Sequence, residues 1–285
     1  FSGGCIRIST DNARELFSMV KTGTPVLVFS DKILTDSFEY KTPLPEISAE
    51  SFLATDLKNG FVFSSKNFEE ILPIYSINNL MLGLVAIEQI GSENSLLINK
   101  SMLAATSRPR LLPGLRVKIY DLLLTLILES SDEAAMAISH YLGGLQRTSE
   151  LMNRKAETIG MKNSVFADPR GLSKENKSSA EDLLILAKYI YGNRSFLFDI
   201  SNGRLRYTAN DRKTFQNLAN VNALSYPEKY YGGKFSEGEE GSQNMVVVFE
   251  FEKGDSVRPV GIAVLKSQKA KEDVENIFAW IKTNY

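Results

Sequence analysis

The sequence predicts an α/β sandwich carrying a mostly helical insertion. Two short strand-like runs lie early, around Asn59-Gly60; the middle holds near-continuous apolar segments of helical length; and two β-branched runs precede a final amphipathic segment. The length, 285 residues, allows one large domain with a buried core, or a domain plus a small appendage. With 33 Lys+Arg against 34 Asp+Glu, interspersed rather than clustered, the chain lacks the footprint of a phosphate-backbone binder, so no nucleic acid is expected.

Residues 1 to 45 show no strong period and end in Lys41-Thr42-Pro43-Leu44-Pro45, which reads as an extended linker. The main domain is placed at 46–285. Ser51 to Asp56 and Phe61 to Ser65 read as a hairpin, with Asn59-Gly60 expected in a tight type I′ turn. Leu80 to Ile90 reads as a helix buried on most sides, followed by helices at Tyr120 to Glu129 and Ala134 to Tyr141. Ser178-x-x-Glu181 is a capping-box signature opening a helix through Tyr191, with Leu183, Leu184, Leu186, Ala187 and Ile190 on its inner side. Met245 to Phe251 and Pro259 to Leu265 read as strands separated by Lys253-Gly254-Asp255, and Glu272 to Thr283 as the closing helix.

The single cysteine, Cys5, excludes an internal disulfide, and with the single histidine, His140, leaves no obvious metal cluster. No metal and no cofactor are expected. Cys5 reads as an ordinary thiol and His140 as a residue on a helix face. Tyr120 to Leu128 is too short to span a bilayer and carries Asp121, so no transmembrane segment is expected in this chain. The chain opens on Phe1 rather than Met and reads as a processed or trimmed product, in which a removed export signal or anchor would be invisible.

Several segments in order resemble one family. Leu53 to Gly60 with Lys66-Asn67, Pro73 to Glu88, Gly160-Met161-Lys162-Asn163, Asp168-Pro169-Arg170-Gly171-Leu172 and Ser179 to Leu183 are similar to segments of the low-molecular-weight penicillin-binding proteins, the serine D-alanyl-D-alanine carboxypeptidases. The resemblance runs from about residue 46 to 285. It implies a β-lactamase/transpeptidase-like fold, with an antiparallel sheet flanked by helices and the active site between sheet and helical region. It also implies a bacterial envelope protein, exported, acting on peptidoglycan stem peptides.

The family's chemistry needs three motifs. Ser-x-x-Lys reads Ser76-Ile77-Asn78-Asn79, so the nucleophile position is kept while an amide that cannot hold a proton near neutral pH replaces the base. Ser-x-Asn aligns on Ser130-Ser131-Asp132, where an acceptor-only carboxylate replaces an amide donor. Lys-Thr-Gly aligns on Lys234-Phe235-Ser236, which keeps the charge, loses the hydroxyl expected to bind a carboxylate, and adds a side chain where glycine gives clearance. Ser76, Ser130 and Lys234 remain as candidate catalytic residues; Asn79, Asp132, Phe235 and Ser236 are the degenerate positions. The acidic loop of Glu237, Glu239 and Glu240 reads as a solvated turn or as a feature repelling a peptide carboxylate.

The leading expectation is a catalytically impaired or inactive family member that binds peptidoglycan peptide or a protein partner. In that case Ser76 is a helix cap. The competing expectation is an active carboxypeptidase or endopeptidase in which Ser130 and Lys234 together deprotonate Ser76, or in which another lysine, such as Lys66, supplies the base. A β-lactamase ranks below both, since no glutamate-containing deacylation motif stands out.

Overall fold

The computed structural model describes residues 8–21, 24, 42–204, 214–225, 229–253 and 256–285; Cys5, Lys41, Gly254 and Asp255 lie outside them. The chain divides into two compact units, Phe1–Tyr40 and Lys41–Tyr285. In the first, helix α1 spans Thr10–Met19, where no periodic element was expected, and Ser9 caps it by accepting from the Asn12 N–H.

The second unit runs β1 (Ser51–Asp56), β2 (Val62–Lys66), β3 (Leu72–Pro73), α2 (Asn79–Gln89), β4 (Ser95–Leu97), β5 (Arg116–Lys118), α3 (Ile119–Glu129) and α4 (Asp132–Tyr141). It continues through α5 (Leu145–Ile159), β6 (Lys177–Ser178), α6 (Ala180–Asn193), α7 (Phe196–Ser201), β7 (Tyr230–Glu237), β8 (Gln243–Lys253), β9 (Ser256–Ser267) and α8 (Ala270–Asn284). Five strands form an antiparallel sheet in the order β2-β1-β9-β8-β7, with β7 at one edge.

Strand alternation explains the layering. In β8, Val246 and Val248 face the helical subdomain, while Met245, Val247 and Phe249 face α8. Both faces are covered, so the strand reads as a continuous apolar run rather than an alternating one. Helix α8 seals its face with Val274, Ile277, Phe278 and Ile281, and the Phe278 ring stacks on Phe249 at 3.9 Å between centroids. On the other face, α2 and α3 bury almost every residue; Leu80, Leu82, Leu84, Leu123 and Leu126 are all fully inaccessible.

Two local expectations need correction, and one long helix was not expected. Of Asn59 and Gly60 only Gly60 has positive φ, and the hairpin closes through a longer loop in which the Asp56 carboxylate accepts from the Lys58 and Asn59 N–H groups. A type I′ turn needs positive φ at both central residues, so this is not one. The α6 cap is Ser179, accepting from the Asp182 N–H, one residue after the expected Ser178, which lies in β6. The long helix is α5, which sequence periodicity passed over. Its buried residues, Thr148, Met152 and Ala156, form a stripe four residues apart on an otherwise polar helix.

Candidate active site

Ser76 lies in a 3₁₀ turn, Tyr75–Asn78, immediately before α2. The turn is gripped from both sides. The Ile74 N–H donates to Asn176 O (2.9 Å), Ser236 Oγ donates to Ile74 O (3.0 Å), and Asn244 Nδ2 donates to Pro73 O (3.2 Å). Tyr75 is held at φ 46°, a conformation that costs a non-glycine residue about 1–3 kcal/mol and that persists where surroundings enforce it. Its ring lies over Gly238 where a Cβ would otherwise project, and its hydroxyl accepts from the Glu239 N–H. From the opposite side Gly171, at φ +81°, approaches so closely that a Cβ there would sit 2.8 Å from Ser76 Cα and 2.6 Å from Asn78 Oδ1.

The Gly171 loop is itself built on buried polar anchors. Asn176 Oδ1 accepts from the Ala167 and Asp168 N–H groups and its Nδ2 donates to Asp168 O, while Asp182 accepts from the Lys162 and Asn163 N–H groups and from Ser164 Oγ. These bonds leave few alternatives for the segment that backs Ser76.

Ser76 is not a helix cap. The residue capping the 3₁₀ turn is Ile74 and that capping α2 is Asn78, and neither makes a side-chain capping bond. Among the described residues the Ser76 hydroxyl makes no hydrogen bond, to an amine or to any other group. Lys66 is turned elsewhere, donating to Ala49 O at 2.8 Å. Asn79 is fully buried; its Nδ2 donates to Leu126 O across the α2–α3 contact and its Oδ1 has no partner among the described residues. The position that should present a base therefore presents an amide turned toward the helical core.

Ser130 ends α3 in the left-handed conformation (φ 57°, ψ 44°), and Ser131 caps α4 by accepting from the Ala134 N–H. Asp132 opens α4, where a negative charge is favoured by the helix dipole. Burial nonetheless pushes its carboxyl pKa up, against the lowering effect of Arg170 and with a further raising effect from Asp168.

Lys234 reaches Ser130 from β7. Its Nζ donates to Ser130 Oγ at 2.6 Å and to Phe235 O at 3.0 Å, with Asn222 Oδ1 at 3.5 Å. The side chain is completely buried, and among the described residues no carboxylate acts on it, so desolvation, aided by the charge of Lys271, pulls its pKa down to about 7.

Phe235 and Ser236 do not occupy the places the motif alignment suggested. Paired residues share a face, and Phe235 lies opposite Met245 on the α8 side, half-buried, with Lys271 Nζ 4.9 Å from its ring centre. It does not line the cleft. Ser236 lies on the inner face with Lys234, 2% exposed and bonded to Ile74 O and Asn244, so it ties the edge strand to the nucleophile turn instead of projecting over it.

Between the sheet edge and the helical subdomain is a cleft of about 480 Å³ lined by Ser76, Ser130, Asp132, Arg108, Arg170 and Glu237, among others. The structure thus brings Ser76, Ser130 and Asp132 to one cavity and sets Lys234 behind Ser130, while Glu239 and Glu240 lie exposed outside it. His140 is exposed on α4 and takes no part. Sequence reading did not single out Arg108, Arg170 or Asn222 as site residues. Arg170 sits in the recognised Asp168–Leu172 segment, whereas Asn222, which holds both Lys234 Nζ and the Phe235 N–H, is linked to them only through the tertiary fold.

A D-alanyl-D-alanine carboxypeptidase family model matches residues 38–247. The chain belongs to this family. It is similar to the D-alanyl-D-alanine endopeptidase of Escherichia coli, 31% identical over 65% of this chain and 61% of that protein, and to that of Haemophilus influenzae, 30% identical over 70% of each. It spans about half the length of the Pseudomonas aeruginosa D-alanyl-D-alanine endopeptidase, 46% of it at 34% identity. The family's fold is shared as well. A D-alanyl-D-alanine carboxypeptidase structure from Mycobacterium tuberculosis superposes with a TM-score of 0.75 at 23% identity, covering 85% of this chain and 94% of that one. Penicillin-binding protein D2 of Listeria monocytogenes, in its ampicillin-bound form, gives 0.70 at 21% identity over 84% and 99%. No helix among the described residues is long and apolar enough to cross a membrane.

Proposed function

We propose that this family member binds peptidoglycan stem peptide in the cleft between β7 and the helical subdomain without forming an acyl-enzyme on Ser76. The observation that carries the reading is the state of residue 79: a buried amide committed to Leu126 O where acyl transfer needs an amine facing the serine. Removal of general-base help alone typically costs about 10²–10⁴ in rate. The family supplies the substrate class, and the cleft keeps cationic groups, Arg108 and Arg170, that suit a peptide carboxylate. An envelope location, outside the cytoplasm, follows from the same reading. A protein partner on the cleft rim is the variant of this reading in which the peptide does not bind.

A second reading rests on one contact. Lys234 Nζ and Ser130 Oγ, 2.6 Å apart, would relay the Ser76 proton in an active carboxypeptidase or endopeptidase. Calorimetric titration with a stem pentapeptide, followed by assay of free D-alanine, separates the two. The binding reading expects saturable heat and no D-alanine above the buffer blank. Turnover that scales with enzyme concentration would establish the second reading, and absence of both signals would remove the peptide-binding reading.

A further inference from the structure

We infer that Ser130, rather than Ser76, is the reactive hydroxyl of this cleft, with Lys234 as its base and carboxylic esters as the substrate class. The inference does not depend on the peptide-binding reading. It concerns the chemistry of Ser130 whether or not a stem peptide occupies the cavity.

The geometry is that of a serine-lysine pair. Among the described residues Lys234 makes the one side-chain amine contact to a cleft-lining serine hydroxyl, at 2.6 Å, while Ser76 has none. Ser130 is half-buried, lines the cavity, and sits at φ 57° on the two-residue joint between α3 and α4. A non-glycine residue in the left-handed region is uncommon, and strain of this kind clusters where side chains are aimed for function. Directly after it, the N–H groups of Asp132 and Glu133 stand in the first turn of the ten-residue α4, where position in the helix denies them an intrahelical acceptor. Backbone N–H groups without intrahelical acceptors are the kind of donor that stabilises an oxyanion.

The surroundings favour the neutral amine that a base must be. Lys234 is enclosed by Ser130 at the α3–α4 joint, Asn222 and the Phe235 carbonyl, all uncharged, and Lys271 of α8 adds positive charge. The charged groups of the cleft itself are Glu129, which is paired with Arg110, and Asp132, Glu237, Arg108 and Arg170. With its pKa drawn to about 7, roughly half of the Lys234 amine is free near neutrality.

In the step itself Ser130 Oγ attacks the ester carbonyl carbon while its proton passes to Lys234 Nζ. The tetrahedral adduct collapses with cleavage of the bond to the leaving alkoxide, which takes the proton from Lys234. Water then cleaves the acyl-Ser130 ester by the same route, with Lys234 again accepting and returning the proton.

An alkyl phosphonofluoridate tests this, because it modifies activated hydroxyls with loss of fluoride and leaves a stable adduct. The intact chain is incubated with the probe from about pH 5.5 to pH 9, digested, and mapped by tandem mass spectrometry. The adduct is expected on Ser130, with a labelling rate that rises through a midpoint near pH 7 and then levels. Lys234→Gln is expected to slow labelling about a hundred-fold or more. Ser130→Gly, which suits the positive φ and so preserves the fold, is expected to abolish it. An adduct on Ser76, labelling of Ser130 without an inflection between about pH 6 and pH 8, or no adduct on Ser130 at any pH would each overturn the assignment; the wild-type pH profile decides the matter if Lys234→Gln fails to fold.

Discussion

Asn79→Lys combined with Asp132→Asn is expected to restore penicillin acylation of Ser76, raising its rate by about 10²–10⁴ over the parent chain. Residue 79 is one helical turn beyond Ser76, so an amine there returns to the serine's side of the helix. Asn79 is buried, and a lysine in its place has its pKa drawn down by desolvation, as Lys234 has. The single change Asn79→Lys is expected to do much less. With Asp132 still lining the cleft, a carboxylate would hold the new amine as ammonium, which cannot accept a proton. Phe235 and Ser236 need not be reverted for acylation to appear, since neither side chain lines the cavity. Time courses with a fluorescent penicillin check the pair of variants; equal rates in the double variant and the parent would mean that the cleft has been remodelled beyond its base and clamp.

The second large effect concerns stability. Lys234 is buried with its pKa lowered from 10.5 to about 7, so between those values the unfolded chain binds a proton that the folded chain does not. Stability therefore rises with pH through this window, and below about pH 7 the full cost of burying the ammonium is present. The slope from this one group approaches about 1.4 kcal/mol per pH unit. Lys234→Met removes the titration. Losing the contacts to Ser130, Asn222 and Phe235 O adds an offset of its own. The stability of the wild type relative to this variant is expected to increase by roughly 2–3 kcal/mol from about pH 7 to about pH 9, read from denaturant midpoints at each pH. A difference that stays constant across that range would mean that Lys234 keeps its charge throughout.

Much of the architecture is legible in the sequence because burial leaves a pattern. The stretch of β8 covered on both faces, Met245 to Phe249, is apolar at every position, and α2, a helix enclosed on most sides, is apolar around most of its circumference. Elements whose contact with the core is narrow escape that signal. Helix α5 buries only a stripe, and α7 spans six residues, too few for a period to emerge.

In the site, position along the chain is easier to read than direction. Aligned motifs locate Ser76, Ser130, Asp132 and Lys234, but treat Lys234-Phe235-Ser236 as three groups facing one ligand. Strand alternation already separates Phe235 from its neighbours, and that signal is present in the sequence. The bond from Ser236 Oγ to Ile74 O and the role of Asn222 are not, because each joins segments brought together only by the fold. The same holds for Asn79. Its identity announces the loss of a base, whereas its orientation toward Leu126 O comes from the packing of α2 on α3.

On the proposed reading Ser76 marks the cleft without being an acylating nucleophile in it. Overnight incubation of the wild-type chain with excess penicillin, followed by intact-mass measurement and peptide mapping, tests this most directly. No penicilloyl adduct is expected on Ser76. A stoichiometric adduct on Ser76, lost in Ser76→Ala, would contradict it.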